Sequence, residues 1–211
     1  VKKYISKLHY LTQDLPGRGH VEQVIAACEA GANWVQYRCL TKTDDELLND
    51  IHQIAAICDD WGATLIITNH VHLLAKADVQ GVHIEDMDAD FAKIREQVGE
   101  DKTLGGSANT FEQIRRGFET GAVDYFGCGP FAVTLTKPNS YPILGVGGYR
   151  DIVARTKSED IDIPLLAVGG VGLNDVDDLL QTGVYGIAVS AAVNLADDPA
   201  SAMRDFYRKV F

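Results

Sequence analysis

The sequence predicts an α/β protein of the (β/α)8 barrel class, a single domain over residues 1–211, on three observations. Eight short β-rich runs alternate with segments of helical period along the chain. No Pro/Ser/Gly-rich linker and no block of charge interrupts them. The first strand-to-helix turn, TQDLPGRGH, lacks the G-x-G-x-x-G that opens a doubly wound sheet, and the glycine-rich turn follows the seventh run instead.

The strands read at 8–12 (LHYLT), 33–38 (NWVQYR), 63–68 (ATLIIT), 81–84 (GVHI), 103–107 (TLGGS), 123–128 (VDYFGC), 163–168 (IPLLAV) and 185–190 (YGIAVS). Several are apolar nearly throughout, as parallel strands are when helices cover them. The helices read at 21–30, 44–61, 70–77, 88–98, 111–120, 148–156, 174–181 and 199–210. The second carries Leu47, Leu48, Ile51, Ile54, Ala55 and Cys58 at the spacing that gathers one apolar stripe. Three helices run into the same punctuation, at Gly31, Gly121 and Gly183, where glycine can take the left-handed cap that ends a helix.

Composition narrows the function classes. With 19 Lys and Arg against 30 Asp and Glu the formal charge is -11, which disfavours a sequence-independent hold on a phosphate backbone, so no nucleic-acid partner is expected. No window reaches the roughly 18 to 20 apolar residues of a membrane span, and the start VKKYISKLHYL has no secretory cleavage pattern, so the expected setting is cytoplasmic with no membrane partner. Cys28, Cys39, Cys58 and Cys128 show no CxxC spacing and no companion His at zinc-finger distance, and read as reduced thiols.

In a barrel, chemistry gathers where the strands end. After the seventh strand comes Ala167-Val168-Gly169-Gly170-Val171 and after the eighth Val189-Ser190-Ala191, a pair of loops suited to seating a phosphate on backbone N–H groups. The alternative for the glycines is a plain tight turn. After the sixth strand a long loop carries Thr134, Thr136 and Lys137, two hydroxyls and an ammonium that suit phosphate oxygens. The second strand ends Gln36-Tyr37-Arg38, with Gln36 and Arg38 on one face, so an Arg points into the barrel mouth and needs an anionic ligand or a carboxylate such as Glu85 or Asp86. Glu85, Asp86, Asp88 and Asp90 follow the fourth strand, as magnesium ligands or as helix caps. His70 and His72 lack a closed ligand set for zinc.

Taken in order, YLTQD, VQYR, TNH, GVHIEDMD, GGSANT, DYFGCGPFAVTLTK, AVGGV and AVSAA resemble the thiamine phosphate synthases and the related thiazole tautomerases, over most of the chain. The sixth-strand loop, similar to the family's GPxxxTxTK, is the most specific element. The resemblance implies a barrel enzyme that couples hydroxymethylpyrimidine diphosphate to a thiazole phosphate and releases pyrophosphate with Mg²⁺. It implies that Gln36, Arg38, Asn69, Ser107 and Lys137 hold the pyrimidine diphosphate, with Arg38, Ser107 and Lys137 catalytic. It further implies Asp88 as the metal ligand, and Thr134, Thr136, Gly170, Val189 and Ser190 as the thiazole phosphate seat. Implied partners are these small phosphorylated substrates and, where the chain self-associates, further copies in a homo-oligomer.

Two departures fall on the diphosphate half. The family's R-x-K continues here as Arg38-Cys39-Leu40, and its Asn-Asp pair after the third strand is Asn69-His70. Lys42 is the nearest replacement lysine, and Glu85 or Asp86 the nearest replacement carboxylate. A thiazole tautomerase-like paralogue and a non-catalytic thiazole phosphate binder are the alternatives, although some tautomerases carry His where Pro130 stands.

Overall fold

The computed structural model describes residues 3–134 and 141–211. Eight parallel strands close on themselves in chain order: β1 (Leu8–Leu11), β2 (Trp34–Tyr37), β3 (Thr64–Thr68), β4 (Gly81–Ile84), β5 (Thr103–Ala108), β6 (Tyr125–Cys128), β7 (Leu165–Val168) and β8 (Gly186–Val189). The (β/α)8 reading therefore holds, with every predicted strand present and its ends shifted by two residues at most. Register sets Leu11 beside Gln36, Thr68 beside His83, Ser107 beside Gly127 and Val168 beside Ala188, so the carboxyl ends of the strands meet at one mouth.

Alternation divides the apolar residues into two cores. Outward residues such as Val35, Leu65, Val82, Leu104, Phe126 and Ile187 pack under the helices. Inward, Trp34, Ile66, Tyr125 and Leu166 join Ile5 to fill the barrel floor. Gly105 belongs to that floor, because a Cβ there would lie 2.3 Å from the Tyr125 ring. His9 completes it, its ring stacked on Trp34 at 4.3 Å between centroids and set edge-on to Tyr125 at 5.0 Å.

The helices are α1 (His20–Glu29), α2 (Asp44–Trp61), α3 (Phe91–Val98), α4 (Phe111–Glu119), α5 (Gly145–Ser158), α6 (Val176–Gln181), α7 (Ala191–Asn194) and α8 (Pro199–Val210). Gly31, Gly121 and Gly183 do take positive φ beyond their helices, at 100°, 66° and 92°. Other boundaries differ for local reasons. The helix read at 88–98 starts at Phe91 because Asp90 is its cap, accepting the Lys93 N–H at 3.1 Å. The segment read at 70–77 is a 3-10 turn, Val71–Lys76, and the one at 174–181 is divided into a 3-10 turn, Leu173–Asp175, and α6. α5 begins three residues earlier than its period indicates. α7, a single turn directly after β8, was too short to carry a periodic signal.

Candidate functional site

The mouth of the barrel opens into a cavity whose empty space, counted out to solvent, is about 1090 Å³. Every strand but β3 contributes to its wall directly or through the loop that follows it. Inward alternation sends Gln36, His83, Ser107, Gly127 and Val168 towards it, and the loops add Arg38, Glu85, Gly170 and Ser190.

Arg38 stands on the β2 side, nine-tenths buried. Its Nε donates to Glu85 Oε1 at 2.7 Å and its Nη2 reaches Glu85 Oε2 at 3.4 Å. The carboxylate partner is thus Glu85. Glu85 is itself placed by Asn69, which adopts φ 65° and accepts the Glu85 N–H on Oδ1 at 2.8 Å. Asn69 does not line the cavity; it acts through its neighbour. Gln36 donates from Nε2 to Thr68 Oγ1 at 3.0 Å, which fixes the amide facing the cavity.

Ser107 lies on the β5 wall. Its hydroxyl shares a hydrogen bond with His83 Nε2 at 3.0 Å, and His83 Nδ1 shares another with the Tyr125 hydroxyl at 3.1 Å. Below them burial, and next the neighbouring His83, hold His9 well below the ordinary histidine pKa, so its ring is neutral. This hydrogen-bonded chain of His83 and Tyr125 beneath Ser107 was not singled out in the sequence. Its signal is the inward register of His83 in GVHI, two residues before Glu85.

Across the cavity, Gly169 and Gly170 follow β7 with φ 87° and 74°. A Cβ on Gly170 would lie 2.8 Å from the Val133 carbonyl oxygen, so the turn must be glycine for the loop after β6 to cross it. That loop extends the β6–β7 pairing, with the Ala132 N–H on the Gly169 carbonyl at 2.9 Å. Asn109 holds its two ends together, its amide donating to the carbonyls of Gly129 at 2.9 Å and Pro142 at 3.0 Å. Ser190 donates to Gln13 Oε1 at 3.1 Å and accepts from Asn194 Nδ2 at 3.3 Å, which ties the β8 end to β1 and α7. Thr134 and Val189 also line the cavity. Thr136 and Lys137 lie outside the described residues.

Two further residues stand away from the wall. Asp88 is largely exposed, its carboxylate 2.7 Å from Arg116 Nη2. Lys42, the nearest replacement for the lysine absent at Leu40, is engaged with Asp50 at 2.5 Å, and Asp50 also accepts the Tyr37 hydroxyl at 2.9 Å. Of the cations that follow the second strand, Arg38 lines the mouth and Lys42 does not, while Leu40 is 62% exposed beside them.

The order of these elements can be set against known proteins. The family model described as thiamine monophosphate synthase matches residues 10–193. The chain belongs to this family. Thiamine-phosphate synthase from Bacteroides fragilis is 38% identical over 192 residues, covering 91% of this chain and 94% of the relative. Its counterpart from Phocaeicola vulgatus is 35% identical over 195 residues, covering 92% and 93%. Among solved structures, thiamine phosphate pyrophosphorylase from Pyrococcus furiosus superimposes with a TM-score of 0.84 at 27% identity, covering 97% of this chain and 95% of that one. Family membership and fold thus agree with the resemblance carried by the motifs.

Proposed function

We propose that the chain is a thiamine phosphate synthase, a transferase that couples hydroxymethylpyrimidine diphosphate to a thiazole phosphate. The bond between the pyrimidine methylene carbon and the diphosphate oxygen breaks, the thiazole nitrogen bonds to that carbon, and pyrophosphate leaves. The observation that carries this reading is that one cavity is lined by Arg38 just after β2 and, at a separate part of the rim, by the Gly169-Gly170 turn after β7 and Ser190 after β8. Two anionic groups can thus be held apart with their organic rings between them.

The residues support a mechanism built on the leaving group. Among the described residues the lining holds no cysteine or lysine to serve as a covalent nucleophile, and it is rich in hydrogen-bond donors. Arg38 turns from Glu85 to the diphosphate, and Ser107, oriented by His83, donates to a second oxygen; Lys137 adds an ammonium. Such donors act where charge develops as the carbon–oxygen bond opens. Gln36 presents its amide to the pyrimidine, and Asn69 keeps Glu85 in place. Gly170, Val189, Ser190, Thr134 and Thr136 seat the thiazole phosphate.

Mg²⁺ suits hard carboxylate oxygens, and Glu85 in the loop after β4 is the one on the cavity wall that would hold it, whereas Asp88, the ligand the resemblance implies, stands off the wall beside Arg116. A divalent ion held there would supply positive charge to offset the negative charge developing on the departing diphosphate. The four free cysteines fit a reducing, cytoplasmic setting. Among the described residues no helix is long and apolar enough to cross a membrane.

The test is pyrophosphate release with both substrates and Mg²⁺, with thiamine phosphate measured alongside. Equal amounts of the two products, and none when either substrate is omitted, are expected. Binding of thiazole phosphate in calorimetry with no product at saturating substrate and metal would overturn the synthase reading in favour of a carrier or tautomerase-like paralogue.

A further inference from the structure

Outside the cavity, three chemically different ligand groups from separate parts of the chain converge at the rim between β1 and β2. They are Asp14 on the loop after β1, His20 at the start of α1, and Cys39 just beyond β2. Their ligating atoms, a carboxylate oxygen, Nε2 and Sγ, all lie within 4.8 Å of one another. Asp14 Oδ1 is 3.2 Å from His20 Nε2 and 3.2 Å from Cys39 Sγ. In a tetrahedral zinc site built from bonds of about 2.0 to 2.3 Å, neighbouring ligand atoms stand about 3.3 to 3.5 Å apart.

We propose that Asp14, His20 and Cys39 form a binding site for a borderline-soft divalent cation, Zn²⁺ by its ligand chemistry, separate from the anion-binding cavity. The ligand set of one thiolate, one imidazole and one carboxylate is that of a zinc site whose fourth position is open to water. Its charge closes as well, since a thiolate and a carboxylate neutralise a divalent ion placed among groups that are otherwise buried.

The surroundings have the features a metal site needs. His20 Nδ1 is occupied by Thr12 Oγ1 at 2.9 Å, which leaves Nε2 as the ligating nitrogen once Nδ1 carries the proton. Burial lowers the His20 pKa, with Asp14 opposing and Lys42 adding to the effect, and so favours the neutral ring that a metal requires. Asp14 is raised by burial, but hydrogen bonds from Thr41, Cys39, the Leu40 N–H and His20 outweigh that and keep it a carboxylate. Its second oxygen accepts the Leu40 N–H at 3.0 Å, which orients the first towards the other two ligands. An entry path exists because Asp14 is partly exposed, 28% by its side chain, while His20 is 4% exposed.

Occupation would act on Arg38 through the backbone. Thr12 Oγ1 accepts the Arg38 N–H at 3.0 Å and sits on His20, and Cys39 is the next residue. A cation there ties the end of β2 to β1 and α1, and holds Arg38 at the mouth.

The experiment titrates the reduced, metal-free protein with Co²⁺, whose thiolate charge-transfer band in the near ultraviolet reports a cysteine ligand, followed by displacement with Zn²⁺. One equivalent with that band, lost on adding Zn²⁺, is expected. Cys39→Ser should abolish the band, and His20→Gln should weaken binding by at least about tenfold, the loss that an outer-shell partner alone produces. His72→Gln should leave the band intact, although Asp44, His70 and His72 form a second, exposed and thiol-free group of possible ligands. Circular dichroism of each variant checks folding, and if Cys39→Ser does not fold, His20→Gln alone decides. Absence of the band in the wild-type chain, its survival in Cys39→Ser, or unchanged affinity in a folded His20→Gln would overturn the proposal.

Discussion

Arg38 and Glu85, 47 residues apart in sequence, are joined across the barrel mouth by a 2.7 Å hydrogen bond from Nε to Oε1. Arg38 is close to fully buried, so its charge has a partner before any substrate arrives. On the proposed reading, a diphosphate competes with that carboxylate for the guanidinium.

Arg38→Met is expected to lower kcat/KM for the pyrimidine diphosphate by about 10- to 150-fold, the worth of a hydrogen bond to a charged group at about 1.5 to 3 kcal/mol. Thiazole phosphate affinity, read by calorimetry, should be unchanged, because the seat proposed for it at Gly170 and Ser190 follows β7 and β8 and not β2. An equal loss for both ligands would mean that one shared seat, and not two, is present.

Leu40→Lys combined with His70→Asp restores the residue types the family carries at these positions. Leu40 is 62% exposed, so the lysine costs little stability. The double variant should bind pyrimidine diphosphate about tenfold more tightly, through one added charge-assisted hydrogen bond of about 1.5 kcal/mol. Steady-state kinetics at limiting diphosphate measures it; an unchanged rate would show that Glu85 and the sixth-strand loop already compensate.

Asn109→Ala removes the two side-chain hydrogen bonds from Asn109 to the ends of the loop after β6, leaving the Gly129 carbonyl without the donor it has at 2.9 Å. The expected result is a loss of about 1 to 3 kcal/mol in stability by urea denaturation, together with a raised KM for thiazole phosphate. Asn109→Asp should be worse, since it turns a carboxylate on two carbonyl oxygens.

Stability should fall as the solution is acidified below the ordinary histidine value. His9 keeps a depressed pKa when folded, from burial and then from His83, whereas the unfolded chain takes up its proton near pH 6.5. The unfolded state then binds more protons, so stability declines from about pH 6.5 towards the folded pKa by at most about 1.4 kcal/mol per pH unit for this group. Melting temperatures at pH 7.5 and 5.5 measure the difference, and His9→Gln should reduce it. A slope unaltered by His9→Gln would assign the effect elsewhere, with His20 the first candidate.

Much of this protein is written in local sequence. The eight strands follow from short apolar runs, and the glycines at 31, 121 and 183 mark helix ends because only a residue without a side chain takes those φ values cheaply. Arg38 and Gln36 on one face follow from the two-residue period of a strand, and the tight turn at the barrel mouth from paired glycines after the seventh strand. Tertiary structure decided the partners. Of the carboxylates that follow the fourth strand, Glu85 meets Arg38 whereas Asp88 meets Arg116, because loop paths and not spacing aim them. Ser107, His83 and Tyr125 become one hydrogen-bonded chain only when the sheet closes. Asp14, His20 and Cys39 converge because two strand ends and a helix start share a corner of the barrel, a distance no linear motif records.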